Sequence, residues 1–271
     1  MKPFLLVVLF LSYGLSFSQS VAKKPLILGE NLTFSSKFLK EKRELNVYLP
    51  PSYSKDKDRT YPVIYLLDGA MEEDFLHIAG LIQFQSSPWI NRVPEAIVVG
   101  IANVDRKRDF TDESASAADK KELPTSGGSA AFISFLDDEV IPLIEKSYRA
   151  NDSNTLVGQS LGGLLATEIL YRHSRMFDNY LIVSPSLWWD EERWLMAEPA
   201  YIGNSKSVYI AVGKEGSDME RVAQSLYKKL ELMLGKDHSV NYRYFDQLDH
   251  SDTLHLAAYY GLEQIFSYRR Q

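Results

Sequence analysis

Short apolar runs alternate with amphipathic stretches along most of the chain. Residues 63–67 (VIYLL) and 96–101 (AIVVGI) are continuously apolar, which is typical of strands buried on both faces of a parallel sheet. Residues 43–49 (RELNVYL) alternate polar and apolar positions and predict a half-exposed edge strand. The remaining predicted strands cover residues 155–157, 180–183, 208–212 and, from a weaker pattern, 242–245.

Helical periodicity fills the segments between these strands. Residues 130–149 place six apolar side chains on one face of a predicted helix. Residues 112–128 are polar and rich in small side chains, and they predict a long surface loop. Further helices are predicted at residues 161–171, 219–234 and 254–268. Because strands and helices alternate, the pattern predicts a single α/β domain with a mostly parallel central sheet and helices on both faces.

The first twenty residues depart from this pattern. Lys2 precedes an apolar run at residues 4–11, and small and polar residues follow up to Ser20. This layout predicts a secretory signal peptide at residues 1–20, and the apolar run is short for a membrane span. An uncleaved anchor is the alternative. The domain then covers residues 21–271, and the protein is expected in the periplasm or outside the cell.

The amino-acid composition excludes several kinds of site and partner. The 271-residue chain contains no cysteine, which excludes disulfides, thiolate catalysis and cysteine-based metal sites. Its net charge of −6 is scattered, without a basic stripe, and this argues against a nucleic-acid partner.

A G-x-S-x-G motif stands at the junction of a predicted strand and a predicted helix. Gly158, Ser160 and Gly162 form it, between residues 155–157 and 161–171. This context predicts a nucleophile elbow, a sharp turn that presents the serine hydroxyl. The backbone N–H of Leu161 and the helix N-terminus would then stabilise an oxyanion. The alternative is that Ser160 merely caps the helix.

A serine nucleophile requires a base. In the chain order expected for this motif the base follows the last strand, which favours His250 in QLDHSDTLH, with His255 as the alternative. His77, His173 and His238 lie elsewhere in that order and are expected to be structural or surface residues.

A carboxylate that orients the base is expected after the strand at residues 208–212. Glu215 is nearest to the end of that strand, and a Ser–His dyad without an acid stays open. The other candidate acids are Asp218, Glu220, Asp246 and Asp249. The second oxyanion donor is expected after the strand at residues 63–67, where Ala70 is favoured over Gly69.

Several blocks carry a family resemblance. In order they are YPVIYLLDGA, AIVVGIANVDRKRDFT, VIPLIEKSYRA, LVGQSLGGLLA, FDNYLIVSPSLWWDEE, VYIAVGKEG and DHSD. From about Leu45 to Tyr268 the chain resembles an esterase family of α/β-hydrolases that includes esterase D-like carboxylesterases, siderophore esterases that open catecholate trilactones, feruloyl esterases and mycolyltransferases. The resemblance implies an α/β-hydrolase domain with Ser160 as nucleophile, His250 as base and Glu215 as acid. The chain departs from common patterns by having DHSD and GQS where many relatives have His-Gly and GHS.

Two blocks are expected to line the pocket. Trp188 and Trp189 follow a predicted strand and can form an apolar wall, although one of two adjacent side chains can instead pack in the core. Arg106 and Arg108 can bind an anionic substrate, and the alternative for Arg108 is a salt bridge to Asp109.

These features predict a serine hydrolase that cleaves a small-molecule carboxylic ester through an acyl-enzyme, without metal or organic cofactor. A siderophore trilactone esterase, an esterase for acylated or feruloylated carbohydrate, and an acyltransferase are the competing versions. A non-catalytic binding module on the same fold is the alternative from another class.

Overall fold

A central eight-stranded sheet organises the protein. The computed structural model describes residues 21–199, 202–203, 206–235 and 238–268, so the predicted signal peptide at residues 1–20 lies outside the described residues. The strands are β1 (Gly29–Ser35), β2 (Lys42–Tyr48), β3 (Tyr61–Leu66), β4 (Ile97–Ile101), β5 (Ala150–Gln159), β6 (Asn179–Val183), β7 (Ser207–Gly213) and β8 (Ser239–Phe245).

The strand order is β1-β2-β4-β3-β5-β6-β7-β8. Strands β3 to β8 are mutually parallel, whereas β1 and β2 pair antiparallel with each other and β2 pairs antiparallel with β4. The carboxyl ends of β5, β6, β7 and β8 therefore lie side by side at one edge of the sheet. Loops that leave those ends can converge on one site.

Helices cover both faces of the sheet, as the sequence predicts. They are α1 (Phe75–Gln85), α2 (Arg106–Phe110), α3 (Ala117–Glu122), α4 (Ser129–Phe135), α5 (Ile141–Ser147), α6 (Leu161–Arg172), α7 (Trp189–Met196), α8 (Ser217–Leu234) and α9 (Thr253–Tyr268). Side chains of α1 and α9 share one core with Ile64 and Leu66, whereas α4, α6 and α8 pack with Val63 and Tyr65 on the other face. Successive residues of β3 thus point to opposite cores, which explains its continuous apolar sequence.

Three predicted elements differ from the structure. Residues 43–49 are predicted as an edge strand, yet β2 is interior because β1, which the sequence analysis missed, covers its outer side. The helix predicted at residues 130–149 is divided into α4 and α5 by a π-helical segment, Leu136–Val140. The loop predicted at residues 112–128 contains α3, whose N-terminus is capped by the Ser116 side chain.

Within the described residues, no helix has the length and apolar character needed to cross a membrane.

Candidate active site

The G-x-S-x-G motif forms a sharp turn between β5 and α6. Ser160 has φ 59° and ψ −120°, a backbone conformation that non-glycine residues rarely adopt. A Cβ on Gly158 would lie 2.4 Å from the carbonyl oxygen of Gly162, so this position has no space for a side chain. At Gly162 an added Cβ would make only ordinary contacts, the shortest being 3.5 Å to Leu67. The steric demand of the turn therefore falls on Gly158, and Gly162 has space for a Cβ.

His250 and Glu215 form a hydrogen-bonded pair close to this turn. His250 lies in the loop between β8 and α9, and its Nδ1 is 2.5 Å from Glu215 Oε2. The Gln159 side chain, next to the serine, donates a hydrogen bond of 2.5 Å to the backbone carbonyl of His250. The loop that carries the histidine is thereby tied directly to the turn that carries Ser160.

The carboxylate of Glu215 is nearly inaccessible, with 2% of its side chain exposed, whereas 47% of the His250 side chain is exposed. Burial acts to raise the pKa of Glu215, but hydrogen bonds from His250, Ser184 and the Gly213 N–H outweigh it and lower the pKa below its usual range. Glu215 is consequently ionised and fixed beside the imidazole. The pairing assigns Nδ1 to the carboxylate, so Nε2 is the ring nitrogen free to face a reacting group.

Ser160, His250 and Glu215 line the same open cleft of about 710 Å³. This volume lies within the range of ligand-binding clefts in proteins. The other residues that line the cleft are Ser186, Trp188, Lys214, Met219, Asp249 and Ser251.

The two adjacent tryptophans lie in different environments. Trp188 is half-buried and lines the cleft. Trp189 is completely buried, and its indole N–H donates to the Asp112 carbonyl at 3.3 Å. The prediction that Trp189 contacts substrate is therefore wrong, because its ring lies in the hydrophobic core.

The loop after β3 contains the two backbone N–H groups considered as oxyanion donors, and one of them is available to a substrate. Gly69 donates its N–H to the Ile101 carbonyl at 3.0 Å, and a Cβ at this position would lie 2.3 Å from Gly100 Cα. Gly69 thus permits close packing on β4, and its N–H is not available to a substrate, contrary to the prediction. The Ala70 N–H donates at 2.9 Å to the Glu73 carboxylate, an exposed group that another acceptor can replace.

The Leu161 N–H belongs to the first turn of α6, where the helix supplies no carbonyl partner four residues earlier. Its position directly after Ser160 is the one expected of an oxyanion donor.

Arg106 and Arg108 are both engaged by carboxylates. Arg106 forms two hydrogen bonds with Asp68, at 2.6 and 2.9 Å, and a third with the Gln159 carbonyl at 3.1 Å. It therefore braces the Ala70 loop against the serine turn. Arg108 pairs with Glu41 and Asp109 at 2.6 and 2.7 Å, which is the alternative that the sequence left open. Because both guanidinium groups are paired with carboxylates of the protein, their contacts do not support the expected role as ligands of an anionic substrate.

His255, His238 and Asp249 each have other partners. The His255 ring packs edge-on against His77 with 4.2 Å between centroids, and His238 Nδ1 accepts from the Lys206 N–H. The Asp249 carboxylate accepts from the N–H and hydroxyl of Ser251. Among the candidates, Glu215 is the carboxylate in contact with His250.

Sequence reasoning missed the individual positions of three polar residues of the site. Ser186 Oγ lies 3.3 Å from Ser160 Oγ, and the Ser184 hydroxyl donates to Glu215 at 2.5 Å. Lys214 is exposed at the cleft, directly before Glu215. The SPSLWW block was a signal for the two serines, but their partners lie 26 and 31 residues away in sequence. In the part of the chain that the structure describes, no group of three or more His, Asp or Glu side chains could hold a metal ion.

Comparison with known proteins gives a consistent result. The model of the family described as "Putative esterase" matches residues 36–259. The ferri-bacillibactin esterase BesA of Bacillus subtilis is 27% identical over 216 residues, which cover 71% of this chain and 74% of that protein. The structure is similar to an IroE-like serine hydrolase from Shewanella oneidensis, with a TM-score of 0.77, 30% identity, and coverage of 88% of this chain and 80% of the other. The BES protein from Bacillus cereus also has a TM-score of 0.77, with 27% identity over 92% of this chain and 99% of its own.

Proposed function

Because this chain belongs to the esterase family of α/β-hydrolases and is a serine hydrolase, we propose that it cleaves siderophore-type carboxylic esters through a Ser160–His250–Glu215 triad. The observation that carries the proposal is the shared cleft. A strained serine at a strand–helix turn and a histidine oriented by a buried carboxylate face the same open space. This arrangement has the parts that acyl transfer by a serine requires.

In the first half of the reaction, Ser160 Oγ attacks the ester carbonyl and its proton passes to His250 Nε2. The N–H groups of Leu161 and Ala70 stabilise the tetrahedral oxyanion, the latter after Glu73 releases it. His250 then donates the proton to the leaving alkoxide as the bond to the leaving oxygen breaks. Glu215 keeps the imidazole in the required tautomer and stabilises its charged form throughout.

In the second half, a water molecule takes the place of the alcohol. His250 removes a proton from this water, the resulting oxygen attacks the acyl-enzyme, and the acid product and free Ser160 are regenerated. None of these steps requires a metal ion or an organic cofactor.

The siderophore-type substrate is supported by relatives and by the cleft. BesA is named a ferri-bacillibactin esterase, and a fungal relative from Aspergillus fumigatus is named a siderophore triacetylfusarinine C esterase. The cleft has room for a bulky ligand, with Trp188 as an aromatic wall and Lys214 as a cation. An ester with an aromatic, anionic acyl group suits these two side chains.

The activity is tested with p-nitrophenyl butyrate on purified protein and on Ser160→Ala. We expect turnover to fall by about 10⁴- to 10⁶-fold in the variant, as in other serine hydrolases that lose the nucleophile. A fluorophosphonate probe should label the wild type and not the variant. Equal turnover by the two proteins would refute the assignment of Ser160.

The substrate is tested separately by product analysis. Ferric bacillibactin and ferric enterobactin are compared with feruloylated and acetylated carbohydrate and with an added alcohol acceptor. We expect the highest kcat/KM with a ferric siderophore, and a selective loss for that substrate in Lys214→Ala. A preference for the carbohydrate esters, or ester formation with the acceptor, would instead favour the competing functions.

We also propose that the protein is exported, on the basis of the layout of residues 1–20. The mass of the protein purified from its native host should correspond to cleavage near residue 20. Recovery of the full-length chain from the cytoplasm would contradict this proposal.

A further inference from the structure

The three-residue segment Ser184–Ser186, which follows β6, is locked between two elements of the site. Ser184 is fully buried, has φ 44°, and donates its N–H to the Ala211 carbonyl of β7 at 2.7 Å. On the other side, a Cβ on Gly163 of α6 would lie 2.9 Å from Pro185 Cα. The segment therefore has little freedom to move relative to β7 or to the helix that begins at the nucleophile.

The Ser184 hydroxyl fixes the orientation of the buried carboxylate. It donates at 2.5 Å to Glu215 Oε1, and the Gly213 N–H donates to the same oxygen at 2.8 Å. The Thr253 hydroxyl makes a longer contact of 3.4 Å with the same oxygen. These contacts set the carboxylate plane, and Oε2 faces His250 Nδ1. Ser184 holds this position with a φ of 44°, a strained conformation of the kind that clusters at functional sites.

Ser186 holds the nucleophile from the opposite end of the segment. Its N–H donates to the Ser160 carbonyl at 3.0 Å, and the two hydroxyl oxygens are 3.3 Å apart. Only 3% of Ser186 is exposed, so its hydroxyl has little access to bulk water. When Ser186 donates to Ser160 Oγ, it fixes that oxygen and leaves the Ser160 proton free to pass to His250 Nε2.

We propose that Ser184 and Ser186 are positioning residues of the reaction, which set the acid and the nucleophile from one rigid segment. This proposal rests on the triad of the proposed function. Ser184 acts through Glu215, and Ser186 acts through Ser160. The two hydroxyls thus link Glu215 and Ser160, which lie in separate loops at opposite ends of the triad.

The test measures kcat and KM with p-nitrophenyl butyrate for Ser184→Ala, Ser184→Gly and Ser186→Ala. We expect kcat to fall about 10- to 100-fold in each, because misplacement of a reacting group by a fraction of an ångström to one ångström has costs of this order, with KM nearly unchanged. The matched control is Ser207→Ala, which removes a hydroxyl from a serine that is equally buried in β7 and whose Oγ has no hydrogen-bond partner. Its kcat should equal that of the wild type.

Ser184→Gly separates positioning from folding. Glycine tolerates φ 44° without strain, so this variant should unfold at a temperature similar to that of the wild type and still lose kcat. In a Glu215→Ala background, removing the Ser184 hydroxyl should have no further effect on kcat, whereas Ser186→Ala should retain its effect. Ser186→Ala should also slow fluorophosphonate labelling of Ser160.

Wild-type kcat in a folded Ser184→Gly and Ser186→Ala, while Ser160→Ala is inactive, would overturn this inference and leave the proposed function intact. Additive effects of Ser184→Gly and Glu215→Ala would overturn the part that assigns Ser184 to the acid. Activity retained by Ser160→Ala would instead overturn the proposed function itself.

Discussion

The Glu73 carboxylate occupies the N–H group that the mechanism assigns to the oxyanion. In the structure the Ala70 N–H donates to Glu73 Oε2 at 2.9 Å, and the other carboxylate oxygen accepts from Asn103 at 2.7 Å. A hydrogen bond to a charged group contributes about 1.5 to 3 kcal/mol, but Glu73 is exposed, so solvent reduces the value to about 1 kcal/mol. This free energy has to be given up before Ala70 can stabilise the transition state. Since about 1.4 kcal/mol corresponds to a tenfold change in rate, Glu73→Ala should raise kcat about fivefold.

The assay is the initial rate of p-nitrophenyl butyrate hydrolysis, a neutral substrate whose KM should not depend on the charge of residue 73. Glu72→Ala removes a neighbouring exposed carboxylate and is the matched control, with kcat expected at the wild-type value. Glu73→Gln, which keeps a neutral acceptor, should give an intermediate rate. Thermal unfolding verifies that the loop remains folded. An unchanged or lower kcat in a folded Glu73→Ala would refute the reasoning and remove Ala70 as the second donor.

Three further predictions concern packing and ionisation. Gly158→Ala should lower stability by about 1 to 3 kcal/mol or more through overlap with a backbone carbonyl, whereas Gly162→Ala should be neutral or stabilising in thermal unfolding. Because folding lowers the pKa of Glu215, its contribution to stability is complete above its unfolded pKa of about 4.5 and is lost as the pH falls below that value. The Tm difference between the wild type and Glu215→Gln should therefore shrink in acid. A Tm difference that does not change with pH would contradict the assignment. Trp189→Ala should destabilise the protein by about 3 to 5 kcal/mol in urea unfolding. Trp188→Ala should destabilise it less, because this ring is only partly buried, and should raise KM for aromatic esters.

The elements that local patterns specify were predictable from the sequence. Strands β3 and β4 are continuously apolar because both of their faces are buried, and the G-x-S-x-G spacing reports a backbone turn formed by adjacent residues. Strand β1 was missed because GENLTFS lies at the sheet edge, where solvent contact permits polar residues at most positions. The order of the elements along the chain predicts Glu215 and His250 among several candidates, and in the structure these two side chains are in contact.

What the sequence could not provide were contacts between distant residues. Arg106 and Arg108 look like free cations in VDRKRDF, yet their carboxylate partners Asp68 and Glu41 come from 38 and 67 residues away. Trp189 is buried against Asp112, which is 77 residues away in sequence, and three successive non-glycine residues with positive φ follow it at Asp190 to Glu192. No periodicity in the sequence predicts such a backbone conformation.

The four neighbouring strands β5 to β8 are each followed by a different component of the proposed site: Ser160, the Ser184–Ser186 segment, Glu215 and His250. Their relative spacing is set by backbone hydrogen bonds between strands, which do not depend on the side chains that the loops present. Substitutions at Trp188 and Lys214, which line the cleft, can therefore alter the range of accepted esters while Ser160, Glu215 and His250 keep their separations. In protein engineering, these two positions are the starting points for changing substrate preference while the strands stay unchanged.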